Sequence, residues 1–251
     1  SEIHTSFKLT QTKHEKIIIA DASGTIIDSL TIKNHQLLHS RGRTSDGSST
    51  WGVFTNSTPG TANTGVFQEY ASTPILSVFP GFYTSLQSVT ITTPDSNVDI
   101  YYTTDGTEPT TSSALYSGPI NIANTTVLRA KAFSTDPSIL PSFIETNTYF
   151  INSPHTVPVI SISGDDLLTL LNGTQIEPFG ALEFFDRTGV MQTEVTGEFN
   201  KHGNDSWAYD QRGLDFISRD QHGYNNALHH QLFQHKSRDE FQRIILKPGA
   251  S

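Results

Sequence analysis

The stretch that decides the fold is VDIYYTTDGTEP at 98–109, followed by TVLRAKAF at 126–133. In the first string, apolar and polar residues alternate from Val98 to Tyr102. It then runs into Thr104, Asp105, Gly106, Thr107, Glu108 and Pro109, which are turn formers. In the second, Leu128, Ala130 and Ala132 fall on one side and Val127, Arg129 and Lys131 on the other. A two-residue period sends alternate side chains to opposite faces, so each string reads as a strand with one buried face. SVTIT at 88–92 alternates in the same way. Strands recurring every ~8–12 residues with turn signals between them predict a small sandwich.

Working outward toward the amino terminus, KIIIA at Lys16–Ala20 and TIIDSLTI at 25–32 flank Asp21, Ala22, Ser23 and Gly24. That arrangement is hairpin chemistry. A polar stretch from Ser40 to Ser48 leads into WGVF at Trp51–Phe54, and NSTPGTAN at 56–63 reads as irregular loop. One boundary is expected near 64–73 and a second near Asn152, Ser153 and Pro154.

Beyond the second boundary the pattern changes. PVISIS at 158–163 reads as a strand, and 165–171 as a short helix with Asp165 as its N-cap and Gly173 as its stop. The strings at 181–185 and 190–199 flank Asp186, Arg187, Thr188 and Gly189, another hairpin. Strands are expected at 214–218 and 241–246. Helical spacing is expected over 225–233, through Ala227, Leu228 and Leu232, and Ser237 to Glu240 matches a capping box. The expected organisation is a partial module at 1–64, a linker at 65–73, a complete sandwich at 74–152 and the first part of an α+β module at 153–251.

Composition narrows the function classes. The 251 residues carry 16 Lys+Arg against 25 Asp+Glu, a formal charge of -9, which argues against nucleic acid as a partner because a nucleic-acid binder needs a basic face. No apolar run approaches the ~18–20 residues of a membrane helix. With no Cys, disulfides, zinc–thiolate sites and thiol nucleophiles are excluded together. Hydrophobic content of 35% and charged content of 16% are both low, yet 10% aromatics set the chain apart from disordered sequence. Ser and Thr make up roughly a quarter of the chain, a bias away from the usual globular mix. It suits a secreted bacterial surface protein.

Three resemblances follow from these strings. DASGTIIDSL, SRGRTSDGSSTW and TPGTAN, between Asp21 and Asn63, resemble the second half of a lamin-tail domain, an immunoglobulin-like sandwich. PGFYTSLQSVTITT, DIYYTTDGTEPTTSSALYSGPI and TTVLRAKAF resemble the chitobiase C-terminal-type, fibronectin-like accessory domain, which accompanies carbohydrate-active and surface proteins and carries no catalytic residue. PVISIS, EFFDRTG, HGNDSW, QRGLDF and RDQHGY look like the amino-terminal part of a spore-coat-H-type (CotH) kinase domain. The fold class implied is mainly β, with immunoglobulin/fibronectin-like sandwich modules in series followed by an incomplete α+β segment.

The CotH resemblance picks out Gly203, Asn204, Ser206 and Trp207 as its local element. It places Arg212 where that family commonly has a phosphate-contacting Lys. A guanidinium can hold phosphate in two-pronged fashion, but phosphoryl transfer also needs metal ligands, and the family's lie further downstream. The plainer reading of Arg212 is a strand-face residue paired with Asp215 or Asp210. Glu183 with Asp186 could bind a cation, though Asp-x-x-Gly is ordinary turn chemistry. His202, His222, His229, His230 and His235 concentrate near the end, but zinc needs three or four converging ligands, and two His in succession on a helix diverge. Asp105 to Glu108 reads as a tight turn rather than a calcium loop. Trp51, Tyr83, Tyr101 and Tyr116 could stack on sugar rings or could serve as ordinary sandwich residues.

The leading expectation is a non-catalytic extracellular or cell-surface bacterial protein for spacing, adhesion or display, part of a longer parent chain. Cell-surface polysaccharide or surface proteins are its expected partners, and it needs no metal or cofactor. One alternative is the amino-terminal lobe of a CotH-type kinase using ATP and Mg. The other is a set of carbohydrate-binding accessory modules.

Overall fold

The computed structural model describes residues 8–203 and 212–247. The protein is mainly β, as its alternating strings predict. It packs as two compact units, Ser1–Val66 with Arg219–Asn226, and Phe67–Ser218 with Ala227–Ser251.

The first unit holds two hairpins. Strands β1 (Lys16–Ala20) and β2 (Ile26–Thr31) pair antiparallel, as do β3 (Ser40–Arg43) and β4 (Trp51–Phe54). The turn between β1 and β2 is closed by Asp21, whose carboxylate accepts from the Ser23 and Thr25 amides at 2.9 Å each. Most of the ribbon's Ile side chains are exposed, Ile27 at 69%. Val53 and Phe54 of β4 are buried. The unit is tied off by the distant segment Arg219–Asn226. The Asp220 carboxylate accepts from the Gln11 and Thr12 amides at 2.8 and 2.9 Å, and Asn34 donates to the Gly223 carbonyl at 2.7 Å.

The second unit opens with a sandwich. Its main sheet comprises β5 (Gly81–Tyr83), β6 (Val98–Thr103), β7 (Ala114–Leu115), β8 (Thr126–Ser134) and β9 (Glu145–Ile151), in the order β7-β6-β8-β9-β5. Only the β9–β5 pairing is parallel. The opposing layer consists of two short pairs, Ile75–Leu76 with Ile91–Thr92 and Gln87–Val89 with Ile120–Ile122. The string at 88–92, expected as one strand, is interrupted at Thr90. Its halves pair with different partners, yet Val89 and Ile91 both stay in the core. Leu128, Ala130 and Ala132 of β8, each 0% exposed, join Ile100 and Tyr149 of their own sheet in packing against Leu76, Val89, Ile91 and Ile122 of the opposing layer. The face read from the alternation in 126–133 is therefore the buried one.

A second sheet follows, built from β10 (Val159–Gly164), β11 (Phe179–Phe185), β12 (Met191–Lys201), β13 (Leu214–Ile217) and β14 (Arg243–Leu246). It is antiparallel throughout, in chain order. One face carries Leu182, Val195, Phe199, Leu214 and Phe216, covered by Leu167 and Leu170 of helix α1 (Leu167–Leu171) and by Leu228 and Phe241. Glycines form one row across three strands, with Gly164 paired to Gly180 and Gly180 to Gly197. A Cβ on Gly180 would lie 2.0 Å from the Ser163 carbonyl oxygen, so this close approach requires glycine.

Three local expectations are corrected. Helix α1 starts at Leu167 after Asp166 in a left-handed conformation (φ 58), and Asp165 does not cap it. The Asp165 carboxylate instead accepts the Glu108 amide of the sandwich at 2.7 Å. The helical spacing over 225–233 does not form a helix. Leu228–His229 pairs with Glu240–Phe241, because burying Leu228 and Phe241 in the second core outweighs a weak local propensity. No helix follows the capping-box match at Ser237, and Glu240 lies in that short strand.

Candidate functional site

Three places in the second unit gather chemistry. The first is the seam between the sandwich and the second sheet. Odd-numbered residues of β11 face the sandwich, because even-numbered Leu182 faces the other core. At one end of the seam Phe82 and Phe150 stack at 4.3 Å, and both meet Phe185 edge-on, at 5.8 and 5.3 Å. At the other end the layer is polar. Glu183, 1% exposed, accepts the Thr148 amide at 3.0 Å and the Thr148 hydroxyl. The Ser161 hydroxyl meets that of Thr148 at 2.7 Å. Arg129 is 3% exposed and donates to the Gly106 carbonyl and to Thr146. Burial pushes the Glu183 carboxyl up to about 7 against the opposing pull of the Thr148 bonds, and burial likewise lifts Glu145 to about 7. Burial raises Glu194 well above the ordinary carboxylate range, reinforced by the charges of Glu183 and Glu145.

The second place lies where β12 hands over to β13. Asp215, 4% exposed, receives Arg243 in two-pronged fashion, at 3.2 and 2.6 Å, and lies 3.2 Å from Nδ1 of His202. Burial raises its carboxyl, but the Arg243 and His202 bonds together outweigh this and leave it lowered. Gly203 follows β12 in a left-handed conformation, and Arg212, half-buried, lies two residues before β13. The His202 amide donates to the Gly213 carbonyl at 3.0 Å, so the two ends of this connection are joined. Asn204, Ser206 and Trp207 lie outside the described residues. The partners of Asp215 are Arg243 and His202, a combination no local motif announces.

The third place is the outer face of β6 and β8. Tyr101 and Phe133 meet edge-on at 5.5 Å and 89°. Lys131 lies 5.7 Å over the Phe133 ring and 2.7 Å from the Glu108 carboxylate. Of the other aromatic candidates, Tyr83 and Tyr116 pack against the sandwich core. Trp51, in the first unit, lies under the Arg43 guanidinium at 5.2 Å. Phe133 was missed in sequence because it shares its outward parity with Arg129 and Lys131.

The remaining candidates separate. Asp186 Oδ1 closes its own turn by accepting the Thr188 amide at 2.8 Å, while Glu183 belongs to the seam. Asp105 accepts the Thr107 amide and hydroxyl at 3.1 and 2.6 Å, a closed turn with Gly106 at φ 81. His222 sits in the first unit, His230 packs on Phe184 at 5.1 Å, and His202 meets Asp215. Among the described residues no three His, Asp or Glu side chains converge as a metal site would require.

Comparison with known proteins matches this geometry at the sandwich. Residues 79–138 match the Chitobiase/beta-hexosaminidase C-terminal domain family, so the chain contains a module of that type. An endoglucanase of Clostridium saccharobutylicum is 44% identical over 64 residues, 26% of this chain and 14% of that enzyme. The chain thus spans a small part of the relative's length. No solved structure matches the chain. Among the described residues no helix is long and apolar enough to cross a membrane.

Proposed function

We propose that the chain is a non-catalytic stretch of a larger extracellular or cell-surface protein, in which the chitobiase-type sandwich is a spacer that holds neighbouring modules. The observation that carries this reading is the seam. Phe82, Phe150, Thr148 and Glu183 join the sandwich to the following sheet, so the two form one compact unit. A sandwich that commits a sheet face to its neighbour is suited to fixing geometry between modules. The segments before and after it fit this reading as lamin-tail-like and CotH-like modules in series. The test is turnover by the purified chain with ATP–Mg and with chromogenic glycosides. The expected result is no product, and product formation abolished by Asp215→Asn or Arg212→Ala overturns the proposal.

A second reading rests on Tyr101 and Phe133. Their half-buried edge-on pair, with Lys131 and Glu108 alongside as hydrogen-bonding groups, has the ingredients of a sugar-stacking face. The likeness to a stretch of an endoglucanase favours glycan as the ligand. Retention of the chain on insoluble cellulose or chitin, lost in Tyr101→Ala, supports it. No retention on either polymer removes it.

A further inference from the structure

Glu183 and Glu194 occupy directly paired positions on β11 and β12. Such partners have Cβ atoms only about 4.5–5.5 Å apart and point to the same face. That face is the one turned toward the sandwich. The ionisable group set against the pair is Arg129 of β8, while Glu145 and Tyr149, on the core-side face of β9, are coupled to the pair electrostatically. From β10 come Ser161 and Ser163, which do not titrate in this range. Farther along the same face lie Glu198 of β12 and Asp215 of β13, the latter paired with Arg243 and within hydrogen-bond distance of His202. Among the described residues the polar end of the seam thus sets two carboxyl groups, Glu183 and Glu194, against the Arg129 guanidinium, and the charge of Glu145, from the other face of β9, adds to the repulsion. Two carboxylates this close in a low-dielectric layer cannot both ionise without cost, so the pair retains a proton.

We propose that this layer is an acid-held latch: while the Glu183–Glu194 pair holds a proton the sandwich and the second sheet stay locked, and losing it drives them apart. The geometry specifies what the proton protects. Glu183 is the carboxyl that receives the Thr148 amide and hydroxyl across the seam, so repulsion from an ionised Glu194 acts on the inter-sheet bond itself.

The direction of the pH effect follows. Burial holds Glu183 and Glu145 up at about 7 in the folded chain, against 4.5 for the ordinary group, and Glu194 is likewise raised well above the ordinary range. Raised carboxyls contribute a stability that is fully present below about 4.5 and is lost as pH rises through about 7. The latch is therefore tight in mildly acidic surroundings and slack in alkaline ones.

The experiment is native-state hydrogen exchange on the whole chain, read at the Thr148 amide and corrected for the intrinsic pH dependence of exchange. Between the ordinary value of a group and its raised value in the closed chain, each pH unit is worth about tenfold in the linked opening equilibrium. Opening at Thr148 is thus expected to be at least about tenfold greater near pH 8.5 than near pH 5.5, while the β6–β8 amides at Val98–Thr103 hold steady. Glu183→Gln and Glu194→Gln, which carry no charge to lose, are expected to flatten the profile. A wild-type profile already flat, or Gln variants with the wild-type slope, overturns the proposal. Should Glu183→Gln fail to fold by circular dichroism, Glu194→Gln decides by the same criterion.

Discussion

The carboxylate of Asp220 accepts the backbone amide of Thr12 at 2.9 Å and its hydroxyl at 2.6 Å, joining residues 208 positions apart. The same carboxylate takes the Gln11 amide, and the Gln11 side chain returns a bond to the Asp220 carbonyl at 2.7 Å. Amides at the start of a helical turn lack local acceptors, and here a side chain from the far end of the chain supplies one. Asp220→Ala is expected to destabilise the first unit by about 1–2 kcal/mol, the usual worth of such a cap. Asp220→Asn should lose less, because one acceptor oxygen remains. Urea unfolding followed by Trp51 fluorescence in a Trp207→Phe background measures both, and equal stability of Asp220→Ala and the parent would contradict the assignment.

The glycine row in the second sheet permits a sharper comparison. A Cβ on Gly197 would lie 2.3 Å from the Ile217 carbonyl oxygen and 2.9 Å from Cζ of Phe216. Gly197→Ala must therefore spread β12 from β13, at about 1–3 kcal/mol or more, the cost of overpacking. Gly118→Ala meets nothing within 4 Å and should stay within about 0.5 kcal/mol of the parent. Thermal melts of the two variants side by side check this.

Core and surface apolar residues should part equally clearly. Phe199, 0% exposed and 4.9 Å from the Phe216 ring, should cost about 3–5 kcal/mol when truncated to Ala. Ile27→Thr on the exposed ribbon should fall within about 0.5 kcal/mol of the parent. Denaturant titration separates them, and a large loss for Ile27→Thr would show that the ribbon is covered in solution.

Asp215 predicts an opposite pH trend to the seam. Its folded carboxyl is held below 3.8, so its pairing with Arg243 and His202 stabilises the chain above that value and fades as pH falls through the lowered one. The melting-temperature gap between the parent and Arg243→Gln is expected to be widest near neutral pH and to narrow steadily below about pH 4. A gap that stays constant with pH would assign Arg243 a packing role instead.

Much of the sandwich was legible in local pattern. The alternation of Leu128, Ala130 and Ala132 names the buried face, and Asp105-Gly106 and Asp21 to Gly24 name turns, because strand period and turn conformation are properties of a few adjacent residues. The candidate sites were far less legible. Glu183 stands out in sequence as a hairpin carboxylate, but its proximity to Thr148 and Glu194 depends on sheet register and on which faces stack. Asp215 and Arg243 lie 28 residues apart with no motif between them. The helical spacing at 225–233 failed for a related reason: Leu228 and Phe241 fill a core whose other members are remote in sequence.

The amino-acid sequence by itself determined that this is a mainly β, acidic, cysteine-free chain with a chitobiase-type sandwich near its middle, because composition and two-residue periodicity need no tertiary information. Only the tertiary structure decided that the outer face of that sandwich is joined to a second sheet through a layer of carboxyl, hydroxyl and aromatic groups. It likewise decided that Arg219–Asn226 folds back into the first unit. These are meetings of residues far apart along the chain, and they form only where burial and hydrogen bonding repay the entropy of closing long loops.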